Sequence, residues 1–288
     1  MLSLLLAQTA ADPIYWENLG LRPYLFEIGS FQLRFYSLAY LGGVLFAYWH
    51  LSKMIKAPGA PLAQRHADDL FFYGTLGVIL GGRLGYAIFY KPEIWQDPLS
   101  VLKLWEGGMS FHGGLLGVLL AIAFVAKRGK LSFLRVCDYI AVSVPMGMLL
   151  GRLANFVNGE LWGRPSDVSW AMVFPMADEL PRHPSQLYQA GLEGLALLVI
   201  LTLLFWTTHA RYRTGLLVGI FTLGMGLARF VNEFFRQPDA HLTEFAETTG
   251  LSMGQWLTIP LILAGLAVTF YAVIRKPVGI GIRQPSEG

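Results

Sequence analysis

Seven stretches of this chain are long, apolar and free of period-two alternation: Phe31–Leu51, Leu70–Tyr90, Met109–Ala126, Val136–Leu153, Leu187–Trp206, Leu216–Phe235 and Gln255–Ile274. A helix needs about 20 mostly apolar residues to cross bilayer hydrocarbon. Lipid tails cannot satisfy backbone polar groups, so such stretches must be helices or the strands of a closed barrel. Without alternation the barrel is excluded. Composition agrees: hydrophobic residues make up 54% of the chain and charged residues 14%, and the mean hydropathy is +0.49. A soluble domain carries about 25% charged residues, so the charge needed to coat a water-facing surface is missing. This excludes a disordered chain and a soluble enzyme. It also excludes a nucleic-acid partner, because a net charge of +3 is too small to steer toward a polyanion. A single cysteine, Cys137, rules out an internal disulfide framework and a cysteine-built zinc site. The expected fold is an all-α polytopic membrane protein with seven transmembrane helices.

Lysine and arginine positions set the orientation. With the amino terminus outside, twelve fall in inner connections, seven in outer ones, and Arg83, Arg152 and Arg229 within or at the ends of spans. Residues 1–30 then form an extracytoplasmic or interfacial segment. Its first ten residues lack the basic start of a signal peptide, so they are expected to remain in the mature chain. Residues 31–153 hold spans one to four, 187–275 hold spans five to seven, and 276–288 form a cytoplasmic tail. Residues 154–186, with Trp162, Trp170 and four prolines, are too irregular for a span and predict a small extracytoplasmic head. Gly77, Gly81 and Gly85 recur every four residues, as do Gly113 and Gly117, and Gly147 and Gly151. Small residues at that spacing let helices pack closely.

A charge near the bilayer centre costs about 2.5–3.5 kcal/mol and needs a partner or a task. Arg229, Glu233 and Arg236 are spaced i, i+4, i+7 on one helical face. They form either an ion-paired structural stripe or an arginine held by Glu233 and free to grip an anion. Arginine's planar fork suits phosphate. Arg152, Asn155 and Asn158 share a face at i, i+3, i+6, with Glu160 following; helix capping alone does not need the arginine. His112 is either a hydrogen-bonded polar tip or a proton acceptor, its ordinary pKa of about 6.5 suiting that role. In the fifth span Gln186 and Glu193 are seven apart, placing a carboxylate within the membrane. Arg83 is expected to be structural, and Cys137 inert packing. Two arginines and a base near the headgroups point to a site for an anionic, phosphate-bearing lipid.

The run Gly151-Arg152-Leu153-Ala154-Asn155-Phe156-Val157-Asn158-Gly159-Glu160-Leu161-Trp162-Gly163 closely resembles the signature of the prolipoprotein diacylglyceryl transferase family. The segments around His112, His183–Ala190 and Arg229–Asp239 resemble further motifs of that family, in its order. The resemblance implies a seven-span bacterial inner-membrane enzyme with its amino terminus outside. Such an enzyme moves the diacylglyceryl group of phosphatidylglycerol to the lipobox cysteine of a prolipoprotein signal peptide. No metal or nucleotide cofactor is implied. By resemblance His112, Arg152 and Arg229 are catalytic, Arg152 also gripping the headgroup. Asn155, Asn158, Glu160 and Gly163 would shape the headgroup pocket, and Gln186, Tyr188 and Glu193 would line the cavity. Glu233 would hold Arg229 beside Arg236. Four residues before Arg229 the family leads one to expect a tyrosine, and this chain has Met225. Either Tyr36 or Tyr40 substitutes, or no phenol is needed there. The competing expectation is a protein that binds or transports an anionic lipid or small anion without turnover. An intramembrane protease lacks a Ser/His or paired-Asp arrangement at suitable depth.

Overall fold

In a computed structural model the protein is mostly helical; residues 13–29, 31–91, 93, 100–101, 103, 107–237 and 248–278 are described. The chain divides into two compact units. One contains Met1–Gly43, Val144–Leu203 and Gly219–Phe270; the other contains Val44–Ser143, Leu204–Val218 and Tyr271–Gly288. The expectations for the first ten residues, for Asp239 and for the end of the tail lie outside the described residues.

The helices are α1 (Phe35–Met54), α2 (Gln64–Phe89), α3 (Phe111–Arg128), α4 (Phe133–Ala141), α5 (Val144–Val157), α6 (Ser185–Thr207), α7 (Leu216–Asn232) and α8 (Met253–Ile274). Among the described residues α2, α3, α6 and α8 are long and apolar enough to cross a membrane, and the interrupted pair α4–α5 makes up to five. Leu80, Phe89, Leu120, Leu263 and Phe270 are all more than half exposed on these helices, an apolar surface that lipid rather than water would cover. The boundaries shift by several residues, α2 for example opening at Gln64 rather than Leu70, and three further differences stand out. Phe31–Arg34 is not the start of a span but strand β3, paired antiparallel with β2 (Tyr24–Ile28), as the alternation Phe-Gln-Leu-Arg favours. The fourth span is interrupted at Val142–Ser143, because Pro145 has no N–H to return to the carbonyl of Ala141. The fifth span, α6, opens at Ser185, two residues early, and Ala190–Ala196 within it is π-helical.

In the unit holding Val44–Ser143, α2 and α3 meet along their glycines. A Cβ on Gly77 would lie 2.5 Å from the Gly117 carbonyl oxygen, and Gly81 and Gly113 meet backbone to backbone in the same way. Arg83 is structural: its guanidinium donates to the carbonyls of Ser100, Val101, Lys103, Gly107 and Gly108, tying the connection between α2 and α3. Asp138 accepts from Gly215 N at 2.7 Å and Val218 N at 3.0 Å, capping the start of α7. Cys137 is buried.

In the other unit α5 crosses α6 where a Cβ on Gly194 would lie 2.6 Å from Leu149 Cα. There α7 packs on α8, Gly219 against Thr269 and Gly265 against Leu223. Gly43 approaches Gly147, whereas Gly151 has open space around its Cβ direction, so close packing accounts for the first pair and not for Gly151. The segment after α5 forms a small three-stranded sheet: β1 (Ile14–Tyr15) runs parallel to β4 (Met172–Val173), which pairs antiparallel with β5 (Pro181–Arg182). The sheet recruits chain from both sides. Trp16 Nε1 donates to Phe156 O at 2.8 Å, and Gly163 bridges to Arg236 just beyond α7.

Candidate functional site

The site is built where α5 ends. Asn155 and Asn158 both donate their Nδ2 to Glu160 Oε1, at 2.8 and 3.1 Å; α5 ends at Val157, so the expected three-residue helical face does not form, and two of its residues instead hold a carboxylate across the helix end. The turn beyond is unusual. Gly159 and then Leu161 adopt left-handed backbone, with φ of 67° and 59°, a conformation costing a residue with a Cβ about 1–2 kcal/mol. The first turn of α6 holds it there: Gln186 Nε2 donates to Glu160 O at 2.6 Å and Ser185 Oγ to Leu161 O at 2.9 Å.

Arg152 points to a different helix. Its Nη2 lies 3.5 Å from Glu193 Oε2. Glu193 is completely buried and sits in the π-helical turn of α6, where the extra residue per turn re-aims side chains and often marks functional positions. From α7, Arg229 pairs with Glu233 Oε1 at 3.2 Å, and Arg236 pairs with the same oxygen at 3.3 Å. The two systems interact electrostatically. Glu193 feels both Arg152 and Arg229, and Arg229 in turn feels Glu193, Glu233, Arg236 and Arg152. Arg152 is thus held by one buried carboxylate, and Arg229 and Arg236 by another. The glutamates are 0% and 3% exposed while the three arginines are 19–26% exposed, so the carboxylates stand behind and the guanidiniums remain approachable. The arrangement is one that receives an anion.

Several expected residues are placed differently. The Tyr188 hydroxyl accepts from Trp170 Nε1 at 2.6 Å and lies 3.1 Å from His183 Nδ1, and its ring stacks edge-on with Phe235. It is tied to the segment between α5 and α6 and to the end of α7. Partial burial lowers the His183 pKa below the ordinary imidazole value, outweighing the Asp167 carboxylate. A Cβ on Gly163 would meet Phe235 O at 2.5 Å and His183 O at 2.6 Å, so this position must be glycine for backbones to cross. His112 belongs to the other unit, exposed at the second position of α3. Met225 is half-buried on α7. Tyr36 interacts electrostatically with both Arg152 and Glu160, and Tyr40 packs edge-on against it with centroids 5.2 Å apart. Sequence reasoning passed over Ser252 and Gln255, although Ser-x-x-Gln is the signature of a capping box. It begins α8 and reaches Glu233.

The family model for prolipoprotein diacylglyceryl transferase matches residues 23–271, which takes in every element of this site. The chain belongs to that family. It is 66% identical over 275 residues to the phosphatidylglycerol–prolipoprotein diacylglyceryl transferase of Erythrobacter litoralis, covering 95% of this chain and 97% of the relative. The protein of the same name from Zymomonas mobilis is 50% identical over 262 residues, with 88% and 91% covered. That from Idiomarina loihiensis is 46% identical over 268 residues, with 92% and 98% covered. Membership of this family and the apolar helices make it a membrane-embedded transferase family protein, with the arginine cluster lying wholly inside the matched segment.

Proposed function

We propose that the protein transfers the sn-1,2-diacylglyceryl group of phosphatidylglycerol to the lipobox cysteine thiol of a prolipoprotein, releasing glycerol phosphate. The observation that carries this reading is Arg152 held by buried Glu193 and Arg229 held by buried Glu233, with an electrostatic interaction linking Arg229 to Glu193. It leaves three guanidiniums approachable in front of two buried carboxylates. In the reaction the thiol sulfur bonds to the sn-3 carbon of the diacylglycerol as that carbon's bond to the phosphate oxygen breaks. The electron pair leaves on the phosphate. Preorganised donors aimed at developing charge in a poorly hydrated site stabilise such a step strongly. Arg152 and Arg229 receive that charge; Glu193 and Glu233 fix their orientation.

Asn155, Asn158, Glu160 and Gln186 shape the headgroup side, and Tyr36 supplies the phenol that Met225 does not. Gly163 and Tyr188 act through the head rather than by touching lipid. The attacking group must be a thiolate, and the resemblance offers His112 as its base. A nucleophile brought by the substrate leaves the protein's own buried cysteine without a chemical role. The same reading places seven spans in the bacterial inner membrane, amino terminus and head outside and carboxyl terminus in the cytoplasm, where the twelve-to-seven charge bias puts them.

The test is donor selection. Purified protein is given a lipobox peptide and vesicles of phosphatidylglycerol or of phosphatidylcholine, and the peptide mass is followed. A diacylglyceryl gain from phosphatidylglycerol alone is expected. Binding of phosphatidylglycerol with no mass gain from well-folded protein would replace this reading with the anion-binding or transport one.

A further inference from the structure

Resting on that reading of the arginines as the lipid-phosphate grip, we propose that Ser252 and Gly254, in the opening turn of α8, are positioning residues for Glu233. Through it they set the angle of Arg229 and Arg236. The regular helix of α7 ends at Asn232, so where the Glu233 carboxylate rests depends on what it meets beyond its own helix. It meets α8. Oε1 takes both arginines, and Oε2 accepts from Ser252 Oγ at 3.1 Å. The carboxylate also lies directly against Gly254: a Cβ there would be 2.5 Å from Glu233 Cδ and 2.7 and 2.8 Å from its two oxygens. Any side chain at 254 would occupy the space the carboxylate now holds. The first turn of a helix favours negative charge through its unpaired N–H groups, and the Glu233 carboxylate sits between two guanidiniums and the start of α8.

Helix capping alone does not explain this arrangement. Ser252 and Gln255 already satisfy one another: Gln255 N donates to Ser252 Oγ at 3.1 Å and Ser252 N to Gln255 Oε1 at 2.9 Å. That capping box is complete, and the further donation from the Ser252 hydroxyl to Glu233 is surplus to it. Glycine inside a helix is less favourable than alanine, so α8 gains nothing from Gly254 for its own stability. What Gly254 permits is the approach of Glu233. Arg229 thereby receives its orientation from three elements: its own helix, the turn that carries Glu233, and the last helix.

The test separates stability from activity. Gly254→Ala, Ser252→Ala and Ser252→Thr are purified in detergent, and their melting temperatures are compared with wild type. Steady-state transfer to a lipobox peptide is then measured as phosphatidylglycerol in the vesicles is varied. Gly254→Ala is expected to remain folded at the assay temperature while kcat/KM falls about tenfold, a change of roughly 1.4 kcal/mol. Ser252→Ala should lose activity similarly, and Ser252→Thr, which keeps the hydroxyl, should restore most of it. Gly254→Ala within twofold of wild-type activity would overturn the proposal. So would a loss of activity that only parallels a loss of melting temperature, or a Ser252→Thr no better than Ser252→Ala. Wild-type protein that transfers nothing would defeat the transferase reading alone. The same variants would then be compared by their affinity for phosphatidylglycerol in nanodiscs, and the same ordering is expected.

Discussion

Arg152 shows how a single side chain's role depends on who stands behind it. Its partner Glu193 is fully buried, and Arg229 acts on the same carboxylate. A lysine at 152 would keep the charge but lose the planar fork that grips phosphate with two parallel bonds. Arg152→Lys is therefore expected to keep the fold and to lose transfer by about 100-fold, the scale seen when one preorganised donor is removed. Steady-state kinetics on folded protein check it, and near-normal activity would remove the fork from the account. The converse case is Cys137, buried in the unit that does not hold the arginines. Cys137→Ser should stay within about tenfold of wild-type activity, or roughly 1.4 kcal/mol; a larger loss would mean the nucleophile was misplaced. Much at this scale was legible in the sequence, because Asn155, Asn158 and Glu160 are joined by local spacing. The pairing of Arg152 with Glu193 was not legible, since spacing along one helix says nothing about a partner on another. Nor was the service of Tyr188 to Trp170 and His183, which depends on how the head folds.

At the scale of elements, the glycine spacings were informative only where two helices supply matching rows. Gly77 and Gly81 meet Gly117 and Gly113, whereas Gly151 faces open space. Gly81→Leu must push α2 away from α3 and is expected to destabilise the protein by about 1–3 kcal/mol or more through overpacking. Gly151→Ala should be neutral or slightly stabilising, since alanine is the better helix former. Melting temperatures of the two variants in detergent decide the point, and equal tolerance would refute the close-packed pair. The elements that departed from expectation did so for local reasons. A proline divided the fourth apolar run, and strand alternation claimed the residues before α1. The π turn of α6 had no sequence signature at all, because it is fixed by where Gly194 crosses Leu149 and where Glu193 must point.

Over the whole molecule, membrane residence follows from hydropathy and exposed apolar helices, while sidedness rests on the charge bias. With Cys137→Ser as background, Ser166→Cys in the head is expected to react with a membrane-impermeant maleimide in spheroplasts. Ser132→Cys, between α3 and α4, should react only after permeabilisation; the reverse pattern would invert the topology. The arginine cluster is proposed to hold the departing lipid phosphate as a thiol takes the diacylglyceryl group. The most direct measurement gives purified protein phosphatidylglycerol and a lipobox peptide and quantifies both products, with Arg152→Ala alongside. Equal amounts of diacylglyceryl peptide and glycerol phosphate, both absent with Arg152→Ala, are predicted. Peptide modification without glycerol phosphate, or undiminished turnover by Arg152→Ala, would contradict the account.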